Sequence, residues 1–349
     1  MIKHKITELA KKKIILLDGA MGTLIQNMSL DEGKFKGERF KNSKISLKGN
    51  YDILNLTNPK IIYEIHKEYL ESGADIIKTN TFNSTATSQT DYDCGSLNYE
   101  LNFEGAKIAK KAVLDFKKKD KISTKFVAGV VGPTNRTCSM SPDVNRPDFR
   151  NINFDDLQQD YYLSYKGLIE GGVDIILIET IFDTLNAKAA LYAKFKLEQK
   201  TKVKIPLMVS VTIADLSGRT LSGQTLEAFY NSIIHSNPLS IGINCALGPK
   251  EIEPHLKELN RFCTPLISIH PNAGLPNAFG DYDESPDSMA NYARDWAKNG
   301  LINIIGSCCG TRPEHIKVMR DALKNLRPRK IREIDSGFRL SGLSPFNMS

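Results

Sequence analysis

Val173-Asp174-Ile175-Ile176-Leu177-Ile178 is apolar at almost every position rather than at alternate ones, and Glu179 follows it directly. A strand with water on one face alternates. A continuous apolar run suits a strand covered on both faces, as in a parallel sheet. Seven further β-rich runs, most of the same kind, lie at residues 14–17, 75–79, 126–131, 206–212, 239–244, 265–270 and 301–305. Helical patterns fall between them, near 59–72, 97–118, 155–170, 184–199, 225–235, 250–262, 286–298 and 313–326. In the clearest, Asn58 is placed to cap, Pro59 takes the first helical position, Ile62, Ile65 and Tyr69 share a face, and Gly73 ends it. Eight strands each followed by a helix is the count of a (β/α)8 TIM barrel, an α/β fold, in a single domain. A doubly wound open sheet is the alternative. It normally carries fewer strands, and no G-x-G-x-x-G follows the first run. The barrel is expected over residues 1–326. Residues 327–349 show no periodicity and read as a linker-like tail outside it.

Composition narrows the class. The chain has 349 residues, 41% hydrophobic and 25% charged, which excludes collagen-like, disordered and disulfide-scaffold chains. No window reaches the ~18 apolar residues of a membrane span. The first apolar run, Ile14-Ile15-Leu16-Leu17, stops at Asp18, too short for the core of a signal peptide. A cytoplasmic location is therefore expected. The net charge of +7 includes lysine runs at 11–13 and 117–119. They read as solvated faces; no aromatics interleave with them, so neither a nucleic acid nor a membrane is expected as a partner.

In a barrel the functional side chains sit just past the strand C-termini. Those positions here are Asp18, Asn80, Gly132, Glu179, Cys245, Asn272, Cys308 and Cys309. Long polar segments at 24–58, 82–96 and 132–154 also follow strands, and should cover that face. Cys245 ends the sixth run, and Cys308 and Cys309 follow the eighth between Gly306 and Gly310. Adjacent cysteines bridge each other only with strain, and flanking glycines let the loop aim both thiols at one point. With one strand between the sixth and eighth, Cys245 can join them. Three thiolates and an open fourth position suit catalytic zinc. The other readings are three buried small hydrophobes or a structural zinc, which normally needs a fourth protein ligand. Cys94, Cys138 and Cys263 lack such a setting, and His270 reads as a strand-end side chain.

Zinc on three thiolates is anionic and poorly suited to making hydroxide. It suits a thiol substrate. A free thiol is only roughly 3% thiolate at pH 7, and coordination deprotonates it. Methyl or alkyl transfer to sulfur is the natural chemistry.

The motifs Asp18-Gly19-Ala20-Met21-Gly22-Thr23, Thr79-Asn80-Thr81-Phe82, Gly132-Pro133-Thr134, Glu179-Thr180, Gly242-Ile243-Asn244-Cys245, Pro271-Asn272-Ala273-Gly274 and Gly306-Ser307-Cys308-Cys309-Gly310-Thr311 span nearly the whole chain. With them the sequence resembles the homocysteine S-methyltransferase family, most closely the N-terminal homocysteine-binding modules of cobalamin-dependent methionine synthases. Arg339-Leu340-Ser341-Gly342-Leu343 is similar to the segment joining such a module to a folate-binding barrel. The resemblance implies zinc on Cys245, Cys308 and Cys309, with the sulfur of L-homocysteine as fourth ligand. It implies Asp18 and Glu179 for the substrate ammonium and the backbone amides of Gly19, Ala20 and Met21 for its carboxylate. Asn272 matches a residue proposed to fill the open zinc position when substrate is absent.

The expected reaction is S-methylation of L-homocysteine to L-methionine. The expected donor is methylcobalamin on a corrinoid- and folate-binding partner chain or module, recharged from methyltetrahydrofolate. No Asp-x-His-x-x-Gly corrinoid motif occurs in this chain. Betaine or another methyl-onium compound is the alternative donor.

Overall fold

Each apolar run becomes a strand: β1 Ile15–Leu16, β2 Ile76–Lys78, β3 Phe126–Val131, β4 Ile175–Ile181, β5 Leu207–Val211, β6 Ser240–Asn244, β7 Leu266–His270 and β8 Ile304–Ile305. The computed structural model describes residues 2–214, 217–333 and 337–348. Neighbouring strands pair in parallel from β2 through to β8. β1 pairs with β8, and the bridge Leu17–Ile76 brings β1 against β2. The result is the expected single (β/α)8 barrel.

The reason the runs are continuous is visible along β3 and β4. Phe126, Ala128, Val130, Ile175 and Leu177 pack into the lumen. Val127, Val131, Ile176 and Ile178 pack outward among residues of the surrounding helices. Successive side chains point to opposite faces, and here both faces are dry.

Pro59–Ser72 and Pro286–Lys298 form as read from the sequence, and the other six helices that follow strands end within three residues of their expected bounds. Gly73 closes the first in the left-handed region, φ 110°. Asn58 corrects one expectation: it does not cap that helix. Its amide donates instead to Lys34 O at 2.6 Å, tying the helix to the preceding loop.

Two elements were not apparent from the sequence. A helix at Ile2–Lys12 precedes β1, and its buried Ile6 and Ala10 join the lumen cluster. It closes the barrel at the end where the strands begin. In the tail, Arg339–Ser341 (β9) and Pro345–Asn347 (β10) form an antiparallel hairpin. The hairpin sits on the helix Leu226–Ile233, with Asn231 Nδ2 donating to Leu340 O at 3.0 Å. Strands of three residues are too short to print a period. Arg329, also in the tail, is buried and donates from Nε to Asn260 Oδ1 at 2.7 Å.

The segments after β1 and β2 carry short helices at Met21–Asn27, Glu32–Lys36, Leu54–Thr57 and Ala86–Gln89. Asp52 cross-links them by accepting from Asn83 N (3.0 Å) and Ser84 Oγ (2.7 Å). Among the described residues no helix is long and apolar enough to cross a membrane.

If the N-terminal helix is the floor of the lumen, Ile6→Ala should cost about 2–5 kcal/mol, read as a lower midpoint in urea unfolding. A variant at exposed Lys5 should leave that midpoint in place.

Candidate metal centre and adjoining pocket

The three cysteines at the ends of β6 and β8 meet. Cys245 Sγ lies 3.8 Å from Cys309 Sγ, and Cys309 Sγ lies 4.0 Å from Cys308 Sγ. All three sulfurs fall within 4.8 Å of one another. Zinc–sulfur bonds of ~2.3 Å at tetrahedral angles place ligand sulfurs about 3.8 Å apart. The donor set and spacing therefore suit a soft tetrahedral ion such as zinc. Among the described residues this is the one group of three metal-capable side chains so placed. Cys94, Cys138 and Cys263 are buried and lie outside it.

Local backbone makes the convergence possible. Cys245 and Ala246 both adopt left-handed conformations, φ 62° and 59°, turning the Cys245 thiol off the strand direction. Such backbone is uncommon for residues with a Cβ and concentrates at functional sites. Gly310, φ 80°, lies under the Tyr282 ring, where a Cβ would collide. Tyr282 shares a side-chain hydrogen bond with Cys309. The hydrogen bond to Cys308 draws the Cys245 thiol down, but the one to Cys309 and burial outweigh it, pushing the thiol up to about 11. A bound cation reverses that balance, because metal ligation requires the thiolate.

The cysteines form one wall of a cavity of about 400 Å³. Asp18, Gly19, Ala20, Met21 and Glu179 also line it, so strand-end and loop segments that are distant in sequence share one space. Asp18 Oδ2 accepts from Lys78 N at 2.8 Å, while Oδ1 is buried without a partner. Burial pushes the Asp18 carboxyl up to about 7, against the pull of the Lys78 charge. Glu179 Oε2 faces Lys78 Nζ at 3.4 Å. Burial draws Lys78 down, but Glu179 and Asp18 outweigh it and hold the ammonium above its ordinary range.

Two expected residues take positions of their own. Ala20 N donates to Thr311 Oγ1 at 3.2 Å, so this amide is turned toward the β8 loop. Asn272 is buried, is not among the cavity-lining residues, and accepts from Cys309 N through Oδ1 at 3.1 Å. His270 is fully buried with both ring nitrogens unpartnered. Burial, then the Lys78 charge, holds it well below its usual pKa.

Sequence reasoning passed over Lys78 and Asn244. The signal for Lys78 was a lone cation inside the run Asp75-Ile76-Ile77-Lys78-Thr79. Asn244 accepts from Thr180 N (2.9 Å) and Ser210 Oγ (2.6 Å) and donates to Thr180 Oγ1 (2.8 Å). It thereby holds Thr180 at φ 60°, directly after Glu179.

A family model described as homocysteine S-methyltransferase matches residues 15–323, and the chain belongs to that family. Among solved structures it is similar to the homocysteine methyltransferase MmuM from Escherichia coli. The metallated form aligns with TM-score 0.70 and 20% identity over 90% of this chain and 98% of that one. The oxidised form aligns with TM-score 0.69 and 19% identity over 88% and 95%. Both likenesses bear on the barrel fold.

The Asp18 carboxyl predicts a pH signature in the metal-free protein. Its pKa rises from 3.8 to about 7 on folding, so the folded state binds the extra proton. Its contribution to stability therefore falls as pH rises through that window. Asp18→Asn should raise the melting temperature at pH 8 by about 2–4 °C and by less than half as much at pH 5. A gain of equal size at both pH values would contradict the assignment.

Proposed function

From that membership, we propose that the chain binds L-homocysteine as a thiolate on zinc and methylates it to L-methionine. The proposed donor is methylcobalamin on a separate corrinoid- and folate-binding chain or module, recharged from methyltetrahydrofolate. S-methylation of homocysteine is the family's activity; the metal and the donor are our reading. The observation that carries it is three thiols within 4.8 Å of one another, opening on a pocket that also holds the carboxylates of Asp18, Asp52 and Glu179.

Cys245, Cys308 and Cys309 would hold the metal. Bound there, zinc keeps a substrate thiol ionised near pH 7 and still nucleophilic. Asn272, through Cys309 N, fixes the loop that presents Cys309. Asp18 Oδ1, buried and unpartnered, is placed to accept from the substrate ammonium, with Glu179 beside it. Gly19, Ala20 and Met21 also line the cavity, and the amides of Gly19 and Met21 would serve the carboxylate. Tyr51, Asp52, Phe82 and Asn83 also line the cavity and would limit water around an anionic nucleophile. In the transfer, a sulfur lone pair forms the new S–CH3 bond as the bond from methyl to donor breaks, and the donor leaves with the bonding pair.

The loops at 24–58 and 132–154 are the proposed docking surface for the methyl carrier. Reduced thiols fit a cytoplasmic setting. Nothing in the site calls for nucleic acid or a membrane.

Metal analysis should find about one zinc per chain, lost in Cys245→Ala and Cys308→Ala and kept in Cys263→Ala. Equal loss in all three would remove the metal assignment.

With purified zinc protein and homocysteine, a donor panel should give slow turnover on free methylcobalamin and none on betaine or a dimethylsulfonium compound. Saturable turnover on betaine or the sulfonium alone would replace the cobalamin reading with the methyl-onium one.

A further inference from the structure

Lys78 is the one cation among the described residues lining the cavity. Strand geometry puts it there. In β2, Ile76 packs in the lumen and Ile77 packs outward, so residue 78 returns to the lumen side. At the top of the barrel it meets Glu179 across the mouth, with 12% of its side chain exposed.

The Lys78 ammonium is under-used. It has three donors, and its assigned hydrogen bond is the one to Glu179, at 3.4 Å. Charge-assisted contacts of this kind prefer about 2.7–2.9 Å. A largely covered ammonium with spare donors is well placed to take a further acceptor. Asp18 Oδ1 is the converse, a buried acceptor without a donor. One small cavity therefore holds an unmet acceptor and an under-used donor.

A zwitterion answers both, and one of the amides expected to hold its carboxylate is diverted, since Ala20 N donates to Thr311 Oγ1. Three carboxylates, those of Asp18, Asp52 and Glu179, line the cavity and by themselves repel a fourth. The Lys78 ammonium, 3.4 Å from Glu179, offsets part of that charge and offers a substrate carboxylate a donor.

We propose that Lys78 is a specificity-determining residue: it receives the α-carboxylate of the substrate while Asp18 and Glu179 receive the ammonium, so that the pocket selects intact amino-acid thiols over aminothiols lacking the carboxylate. This rests on the reading of the cavity as the homocysteine pocket.

The test is calorimetric binding to the zinc-loaded full chain, using L-homocysteine and 3-aminopropane-1-thiol. The second ligand keeps the thiol and the ammonium and lacks the carboxylate. The wild type should prefer homocysteine by at least about tenfold. Lys78→Met should reduce that ratio by about tenfold or more, chiefly by weakening homocysteine. Lys78→Arg should retain the preference. Zinc content and circular dichroism report whether each variant is folded and loaded, and Lys78→Gln takes the place of Lys78→Met if the latter is not.

An unchanged ratio in a folded, zinc-loaded Lys78→Met overturns the role of Lys78 and leaves the homocysteine reading standing. Tighter binding of both ligands also overturns it, marking Lys78 as a competitor of the substrate ammonium. A wild type that binds neither ligand removes the homocysteine reading, and this inference with it.

Discussion

The pairing of β1 with β8 is the interaction on which the rest depends. These are the shortest strands of the barrel, two residues each, held in the register Ile15–Ile304 and Leu16–Ile305. Leu17 N donates to Ile305 O at 2.8 Å, and just above it Ser307 N donates to Asp18 O at 3.2 Å. The contact continues through the loops: Ala20 N meets Thr311 Oγ1 across 291 residues of sequence, and Gly310 N donates to Thr23 Oγ1 at 3.0 Å. Closing the ring is therefore the same event as bringing Asp18 and its glycine-rich turn to Cys308 and Cys309. Cys245 arrives independently, through the β6–β7 and β7–β8 registers.

Along the lumen the side chains change character with height. Ile175 and Leu177 fill the lower layers, and Glu179, the next inward residue of β4, is acidic. β2 makes the same change from Ile76 to Lys78. The cost of this polar layer is visible in atoms without partners: Asp18 Oδ1, both nitrogens of His270, and Ser268 Oγ. Each unpartnered buried group of this kind costs about 1–3 kcal/mol. The left-handed backbone at Thr180, Cys245 and Ala246 adds to it. Stability is spent where ligand groups would enter, above a lumen that is mostly apolar.

Around the rim, support for the site comes mostly from residues that do not line it. Asn272 holds the Cys309 backbone, Asn244 holds Thr180, and Tyr282 covers Gly310 while bonding Cys309. They set where the sulfurs and carboxylates stand, and side-chain placement to a fraction of an ångström decides whether such a site works.

The sequence alone determined the strand and helix order, because dry faces on both sides of a strand demand runs such as Val173-Asp174-Ile175-Ile176-Leu177-Ile178. It also determined which residues stand at the strand ends, and with them the three cysteines, because chemistry on a barrel is confined to one rim. Only the tertiary structure decided which of those groups touch. The Lys78–Glu179 contact joins β2 to β4 across the mouth, and the turning of Ala20 N toward Thr311 depends on ring closure. The Ile2–Lys12 helix and the tail hairpin became legible only against the surfaces they cover. Periodicity records whether a residue is covered. It carries no information about which distant residue does the covering, and the site is made of such long-range pairs.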